Sequence, residues 1–251
     1  MQASNIDEVI VLLDGIIADQ RETRSPLAFF AALYRAVTVR VRSGLGTGMF
    51  ADDERMQRFD TAFANRYLAA FHGWRTTQSA PRAWQVAFGN VRRDGVMILQ
   101  HLLLGMNAHI NFDLPVVAQE VAPGASLPEL EHDFLAINKI LGSLLDPVQA
   151  AIDAFSPLLD VLDRVGGRND EAIITFSLTN AREEAWHEAL RLAGEDDARR
   201  ERSIKSLDRR VALLAERIIV PGGPCGCAIE LISRTENADV HAVTDALLRI
   251  R

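Results

Sequence analysis

The residues best suited to chemistry lie in one run, Gln100 to Asp113, which reads QHLLLGMNAHINFD. The run is apolar enough to be buried, yet it carries a glutamine, two histidines, two asparagines and an aspartate. A buried imidazole, amide or carboxylate costs roughly a few kcal/mol unless it finds a hydrogen-bond partner. Polar groups at this density therefore predict a hydrogen-bond network or a ligand site in this segment.

Helical periodicity places four residues of this run on one stripe. At about 100° per residue, His101, Gly105, His109 and Asp113 follow one another at intervals of four. Along a helix His101 and His109 lie roughly 12 Å apart, too far to chelate one ion easily, whereas His109 and Asp113 are neighbours. Gly105 costs about 1 kcal/mol relative to alanine in a helix. It therefore indicates either space kept open on this face or the close approach of another helix.

His109 and Asp113 are the leading candidates for metal ligands. An imidazole and a carboxylate at positions i and i+4 point the same way and suit zinc, iron or manganese. One such pair is not a complete site, and Asp133 and Asn138, on a later predicted helix, are expected to complete or orient the coordination sphere. The alternative is a closed structural network, in which Asp113 accepts a hydrogen bond from His109 and asparagines bridge neighbouring helices.

The predicted catalytic residues are His101 and Asn107: His101, or else His109, would act as an acid or base, and Asn107 would support the site formed by His109 and Asp113. We find no nucleophile elbow and no cysteine in a protease-like or redox context, so a covalent intermediate is not expected. Arg35 and Arg182 are candidates for binding an anion, although a surface salt bridge is the commoner role for such residues.

Two Glu-x-x-His pairs form a further alternative. Glu129 with His132, and Glu184 with His187, have the spacing used in di-iron carboxylate bundles. The full pattern also needs a glutamate from each of two other helices. An acidic start of a helix or a solvated helix face is the simpler explanation of both pairs.

Composition limits the classes of function. The 251 residues are 48% hydrophobic with a formal net charge of −7, which favours one helical domain spanning residues 1–251 and argues against nucleic-acid binding. No segment approaches the ~20 uncharged residues of a membrane span, and the N-terminus does not resemble a secretion signal. Cys225 and Cys227 are too close in sequence for an ordinary disulfide. We expect a cytoplasmic protein that is not inserted in a membrane.

Capping residues and apolar spacing predict helices throughout the chain and no strands, hence an all-α, multi-helix bundle with a polar central helix. Pro115 predicts a kink or an end of the central helix beside Asp113. The predicted helices cover about residues 5–20 and 26–42, begin near 52, 81, 127, 146, 156 and 169, and cover about 196–217 and 237–248. Val220–Pro224 is the clearest predicted loop.

The segment from Gln100 to Asn111, followed by Asp113 and Leu114, resembles the signature of an uncharacterised bacterial family, the domain of unknown function DUF5995. Other stretches share its style, namely 29–34, 63–67, 84–88, 133–138 and 181–186. The resemblance spans most of the chain. It implies that the segment around His101–Asp113 defines the family, and it carries no established activity.

Two hypotheses follow from these residues. The first is a metal-dependent enzyme acting on a small, largely apolar molecule by hydrolysis, oxygenation or isoprenoid-type cyclisation. The second is a non-catalytic ligand-binding or scaffold protein whose histidine, asparagine and aspartate side chains form a closed core network. The second predicts no accessible pocket at His109. The sequence leaves the substrate, the metal and the oligomeric state open.

Overall fold

The structure is a computed structural model that describes residues 1–159 and 178–250. Within these ranges every regular element is helical, which confirms the predicted all-α, multi-helix fold. The α-helices are α1 (Ile6–Glu22), α2 (Leu27–Gly44), α3 (Asp53–Thr77), α4 (Arg82–Gly89), α5 (Ile98–Met106), α6 (Leu114–Val121), α7 (Glu131–Asp153), α8 (Leu178–Ala193), α9 (Asp197–Ile219), α10 (Gly223–Thr235) and α11 (Val240–Leu248). Two 3₁₀ segments, Asn90–Arg92 and Gly124–Leu130, and a π-helix, Asn107–Asp113, complete the set.

Side-chain caps explain why several helices begin where they do. The side chains of Asn5, Asp52, Asp196 and Asp239 each accept a hydrogen bond from a backbone N–H in the first turn that follows. These N–H groups have no partner within the helix, so a cap stabilises the helix by about 1 kcal/mol. The predicted start near residue 52 and the acidic residues there are thus accounted for by capping.

The central segment runs from α5 through the π-helix into α6. The π-helix packs against α3, α4, α8 and α9, so the polar run is surrounded by other helices. Pro115 neither ends the helix nor breaks it. Its missing N–H and its ring are incompatible with the α-helical bond to the carbonyl four residues earlier, whereas a π-helix shifts the bonds to i→i+5. The N–H of Leu114 accordingly bonds to the carbonyl of His109, and the helix returns to α geometry there.

Gly105 marks the close approach of α2 to the central segment. A Cβ atom at this position would lie 2.4 Å from Cγ and 2.9 Å from Cβ of Phe30. Of the two explanations that the sequence offers, the structure favours close packing, since the ring of Phe30 occupies the space beside this glycine.

Two helix predictions differ from the structure. The predicted start near residue 146 is wrong, because α7 continues through Pro147. The sequence did not predict α10, which begins at Gly223 inside the expected loop and places Pro224 in its first turn, where a missing N–H costs nothing. The helix predicted to start near 169 begins outside the described residues, and the one near 156 extends beyond them. No helix in the described part of the chain has the length and apolar character needed to cross a membrane.

Candidate functional site

The π-helix brings His109 and Asp113 into contact. Nδ1 of His109 lies 3.1 Å from Oδ2 of Asp113, and the two residues are only 3% and 1% exposed. The predicted pairing of these two residues is therefore present. π-helical turns are rare and often occur at functional sites, because they place side chains where a regular α-helix would not.

Asp113 is held in place by donors from two other helices. Nε1 of Trp84, on α4, donates to its Oδ2 at 2.8 Å, and Nε of Arg66, on α3, donates to its Oδ1 at 3.1 Å. Indole and guanidinium groups only donate, so the carboxylate acts here as an acceptor. Nδ1 of His109 must then carry the proton that it shares with Asp113, and its Nε2 presents a lone pair.

Burial keeps the imidazole of His109 neutral. Burial lowers the pKa of His109, and this effect outweighs the hydrogen bond and the charge of Asp113, which raise it. The imidazole ring stacks on Phe63 with a centroid separation of 3.6 Å and an interplanar angle of 7°, and it makes an edge-to-face contact with Tyr34 with a centroid separation of 4.5 Å. Two aromatic rings and one carboxylate thus set the orientation of this imidazole.

A cavity of about 110 Å³ lies in front of His109. Apolar side chains of α2, α3, α7 and the central segment form most of its wall, and its polar members are Tyr34, Asp60, His109 and Arg182. Three buried polar atoms of this set have no hydrogen-bond partner among the described residues: the hydroxyl of Tyr34, Oδ2 of Asp60 and Nε2 of His109. An apolar cavity with a few converging polar groups is the usual form of a small-molecule site.

The two oxygen-bearing groups of the cavity are biased towards their protonated forms. Burial raises the pKa of Asp60 to about 7, and burial followed by the charge of Asp60 raises the pKa of Tyr34 well above its ordinary value. The hydroxyl of Thr38 bonds to the backbone carbonyl of Tyr34 and leaves the phenol free. The cavity thus holds a hydrogen-bond acceptor in His109, a donor in Tyr34 and a carboxyl group in Asp60 that changes charge near neutral pH.

Arg182 is a buried cation on the wall of the cavity. It is 3% exposed, its Nε donates to Oδ1 of Asn138 at 2.5 Å and its Nη2 donates to the carbonyl of Phe134 at 2.7 Å. Its guanidinium carbon stands 4.3 Å from the centroid of the Phe134 ring. Burial lowers its pKa to about 9. Both hydrogen-bond acceptors are neutral, so the charge of Arg182 is not balanced by either of them.

The structure does not assemble the four predicted metal ligands. Both oxygens of Asp133 are occupied, since they accept from the backbone N–H of Ala51 at 2.6 Å and from Nη2 of Arg55 at 2.8 Å. Asn138 is used by Arg182. In residues 1–159 and 178–250 no group of three or more His, Cys, Asp or Glu side chains is arranged to hold a metal ion.

His101 and Asn107, the predicted catalytic residues, lie outside the lining of the cavity beside His109. His101 borders a separate space of about 10 Å³ beside Gly105, and burial lowers its pKa to about 4. The amide of Asn107 donates to the carbonyl of Val211 at 3.0 Å and accepts from Asn111 at 2.9 Å. Asn107 thus joins the central segment to α9, as the structural-network hypothesis expects of an asparagine.

The remaining candidates are dispersed over the surface. Glu184 and His187 border a separate pocket of about 500 Å³ between α8 and α9, while a carboxylate oxygen of Glu129 lies 3.7 Å from Nη1 of Arg55. The two Glu-x-x-His pairs therefore do not share a cavity. Arg35 pairs with Asp14, as expected for a surface arginine. Cys227 is exposed and unbonded.

Comparison with known proteins gives a match to a protein family that covers the site residues. The model of a family of unknown function, DUF5995, matches residues 6–221, which include the central segment and every polar group of the cavity. The chain belongs to the DUF5995 family. No curated protein and no solved structure was found to match it. The function of this DUF5995 chain must therefore be inferred from its own geometry.

Sequence reasoning did not single out Asp60, Arg66, Tyr34 or Trp84 as site residues. Asp60 had a usable signal, because it follows Met56 by four residues and so falls on the apolar face of α3. A carboxylate at such a position is rarely buried without a reason. Arg66 and Trp84 had no comparable signal, since an exposed arginine and a core tryptophan fit the same patterns.

Proposed function

We propose that this DUF5995 protein is an enzyme that binds a small, largely apolar molecule in the cavity and transfers a proton with His109 as the general base. The observation that carries the proposal is the arrangement of the imidazole: Nδ1 is bound to Asp113, and Nε2 faces an apolar cavity without a partner among the described residues. A carboxylate that holds one ring nitrogen fixes the tautomer and stabilises the imidazolium formed when the other nitrogen takes a proton.

The other polar groups suit the substrate side of this reaction. The hydroxyl of Tyr34 can donate a hydrogen bond to a carbonyl or hydroxyl oxygen of the bound molecule, and protonated Asp60 can do the same. The surrounding apolar wall excludes water and strengthens such bonds. When His109 takes a proton, Asp113 stabilises the imidazolium, and the negative charge left on the substrate oxygen is stabilised by hydrogen bonds from Tyr34 and protonated Asp60.

The size of the cavity supports a small substrate. An engineered apolar cavity of about 150 Å³ accepts benzene. The cavity beside His109, about 110 Å³, therefore suits a group of similar size or slightly smaller.

Metal dependence remains a prediction, and the described residues do not favour it. A histidine held by a carboxylate through its other nitrogen is common among metal ligands. However, the cavity offers only His109 and Asp60 as anionic or imidazole donors, whereas zinc sites have at least three protein ligands. The proposed proton transfer to His109 needs no metal.

The closed-network hypothesis is the weaker explanation. A purely structural histidine is expected to satisfy both ring nitrogens, because an unpaired buried nitrogen costs about 1–3 kcal/mol. Binding without catalysis would use the same cavity, and the following experiment separates it from the proposed enzyme.

The test is hydrogen exchange in a small ketone. Hexan-2-one in D₂O exchanges the C–H protons next to its carbonyl when a base removes them and returns a deuteron, and mass spectrometry measures the incorporation. We expect the wild-type protein to accelerate exchange and His109→Gln to abolish the acceleration. His101→Gln is the matched control, since His101 lies on the same segment but outside the cavity lining, and it should exchange like the wild type. Binding of the ketone without accelerated exchange would identify a binding protein instead.

A further inference from the structure

The strongest unexplained feature outside the proposed proton transfer is the charge of Arg182. A buried guanidinium is rarely stable without an anionic partner, because removing a charge from water costs several kcal/mol. No described carboxylate forms an ion pair with Arg182, although eleven other arginines, among them Arg35, Arg55 and Arg66, each pair with one. Its two hydrogen-bond acceptors, Asn138 and the carbonyl of Phe134, are neutral.

Arg182 has more donors than the described residues use. A guanidinium has five N–H bonds, of which Nε uses one for Asn138 and Nη2 uses one for Phe134. The other three, two on Nη1 and one on Nη2, have no partner among the described residues, and the outer edge of the guanidinium lies between these two nitrogens. This edge has the geometry that binds a carboxylate with two parallel hydrogen bonds.

The free edge belongs to a residue of the same cavity that contains His109. Neither Asp60 nor His109 forms an ion pair or a hydrogen bond with Arg182, whose hydrogen bonds to described residues are those to Asn138 and Phe134. Asp60 and Arg182 therefore do not neutralise each other. The polar lining of the cavity thus consists of Tyr34, Asp60 and His109 together with the cation of Arg182. Apolar side chains, among them those of α2 and α7, form the rest of the wall.

We propose that the ligand of this cavity is a small apolar carboxylic acid whose carboxylate binds Arg182. This inference rests on the proposed function, because it names the class of substrate on which His109 acts. One guanidinium in an apolar wall matches a single negative charge, whereas a phosphate dianion would require further donors. The apolar part of the ligand then fills the cavity and brings its other end to His109.

Calorimetric titration with two probes tests the proposal. Hexanoate and hexanamide have the same carbon chain, and at pH 7 only hexanoate is charged. We expect the wild-type protein to bind hexanoate about tenfold more tightly, or more, because charge-assisted hydrogen bonds are stronger than neutral ones. Equal dissociation constants for the two probes, or no binding of either, would overturn the proposal.

The decisive variant is Asn138→Asp. It supplies Arg182 with an internal anion in place of the neutral Oδ1 at 2.5 Å, without removing the arginine. We expect the preference for hexanoate to disappear while the melting temperature stays the same or rises. Gln149→Glu is the matched control, because it adds the same charge to the exposed side of α7. A preference for hexanoate that persists in Asn138→Asp would show that the anion binds elsewhere.

Arg182→Met gives an independent readout. It preserves much of the apolar stem and should bind both probes with similar dissociation constants, provided that its melting transition shows a folded protein. The failure of this proposal is distinguishable from failure of the proposed function. If hexanoate and hexanamide bind equally while hexan-2-one exchange still depends on His109, only the carboxylate assignment is wrong. If hexanoate is preferred but no exchange occurs, the protein binds the acid without acting as a base.

Discussion

Replacing Asp113 by asparagine is the most informative single perturbation of the site. The carboxylate of Asp113 accepts hydrogen bonds from Trp84, Arg66 and His109, and it is 1% exposed. In Asp113→Asn one acceptor oxygen becomes an NH₂ group, which must face a donor, and the charge opposite Arg66 is lost. Removing one partner of a buried ion pair typically costs about 3–5 kcal/mol.

The expected loss lies near the lower end of that range. The side chain of Arg66 is 25% exposed and its Nη1 lies 3.6 Å from Glu120, so Arg66 can regain part of its stabilisation from water and from that carboxylate. We therefore expect Asp113→Asn to lower the free energy of unfolding by about 3 kcal/mol. For a chain of this size, 1 kcal/mol corresponds to about 2–4 °C, so the melting temperature should fall by roughly 6–12 °C.

Urea denaturation followed by circular dichroism measures this loss, and Asp133→Asn is the matched control. Asp133 is an equally buried carboxylate that binds Arg55 and a backbone N–H, but it does not line the cavity. Both variants should be destabilised, whereas only Asp113→Asn should abolish the exchange of hexan-2-one, because it no longer fixes the tautomer of His109. A loss below about 1 kcal/mol, or unchanged exchange in Asp113→Asn, would refute the reasoning.

Three further predictions concern the cavity and its surroundings. Burial raises the pKa of Asp60 to about 7, so between about pH 4 and pH 7 the folded state holds a proton that the unfolded state has released. The free energy of unfolding of the wild type, compared with that of Asp60→Asn, should therefore fall as the pH rises through this range, by up to about 1.4 kcal/mol per pH unit. Denaturation at several pH values checks this, and parallel profiles for the two proteins would contradict it. Gly105→Ala should lower the melting temperature, because the new Cβ atom would lie 2.4 Å from Cγ of Phe30. Overpacking of this kind costs about 1–3 kcal/mol, and the better helix propensity of alanine offsets only about 1 kcal/mol of it. An unchanged or higher melting temperature would contradict the close packing of α2 on this glycine. Elemental analysis of protein purified without chelator should find no stoichiometric metal, whereas near-stoichiometric zinc, iron or manganese that is lost in His109→Gln would restore the metal-dependent hypothesis.

The candidate site was predictable only as far as local geometry reaches. His109 and Asp113 are four residues apart on one helix, so any helical conformation brings them close. The predicted addition of Asp133 and Asn138 required knowledge of which helix faces meet. Asp133 instead binds Arg55, 78 residues away, and Asn138 binds Arg182, 44 residues away. Contacts at such separations depend on packing, which helical periodicity does not specify.

Backbone geometry shows the same division. Pro115 predicted a disturbance beside Asp113, and the disturbance is present as a π-helix in a segment that continues into α6 instead of ending. The removal of one hydrogen bond is a local property of proline, whereas the way in which the helix absorbs it depends on the helices packed around it. In the same way, the sequence marked Gly105 as unusual, and only the position of Phe30 explains it.

The sequence by itself determined the helical character of the chain, the burial of the polar central run and the pairing of His109 with Asp113, because these depend on periodicity and on neighbours within one turn. Only the tertiary structure decided that Nε2 of His109 faces a cavity and that Tyr34, Asp60 and Arg182 belong to the same cavity. The physical reason is that a cavity is formed by what several helices leave unfilled between them. Its shape and its unpaired polar atoms exist only once α2, α3, α7, α8 and the central segment have packed together.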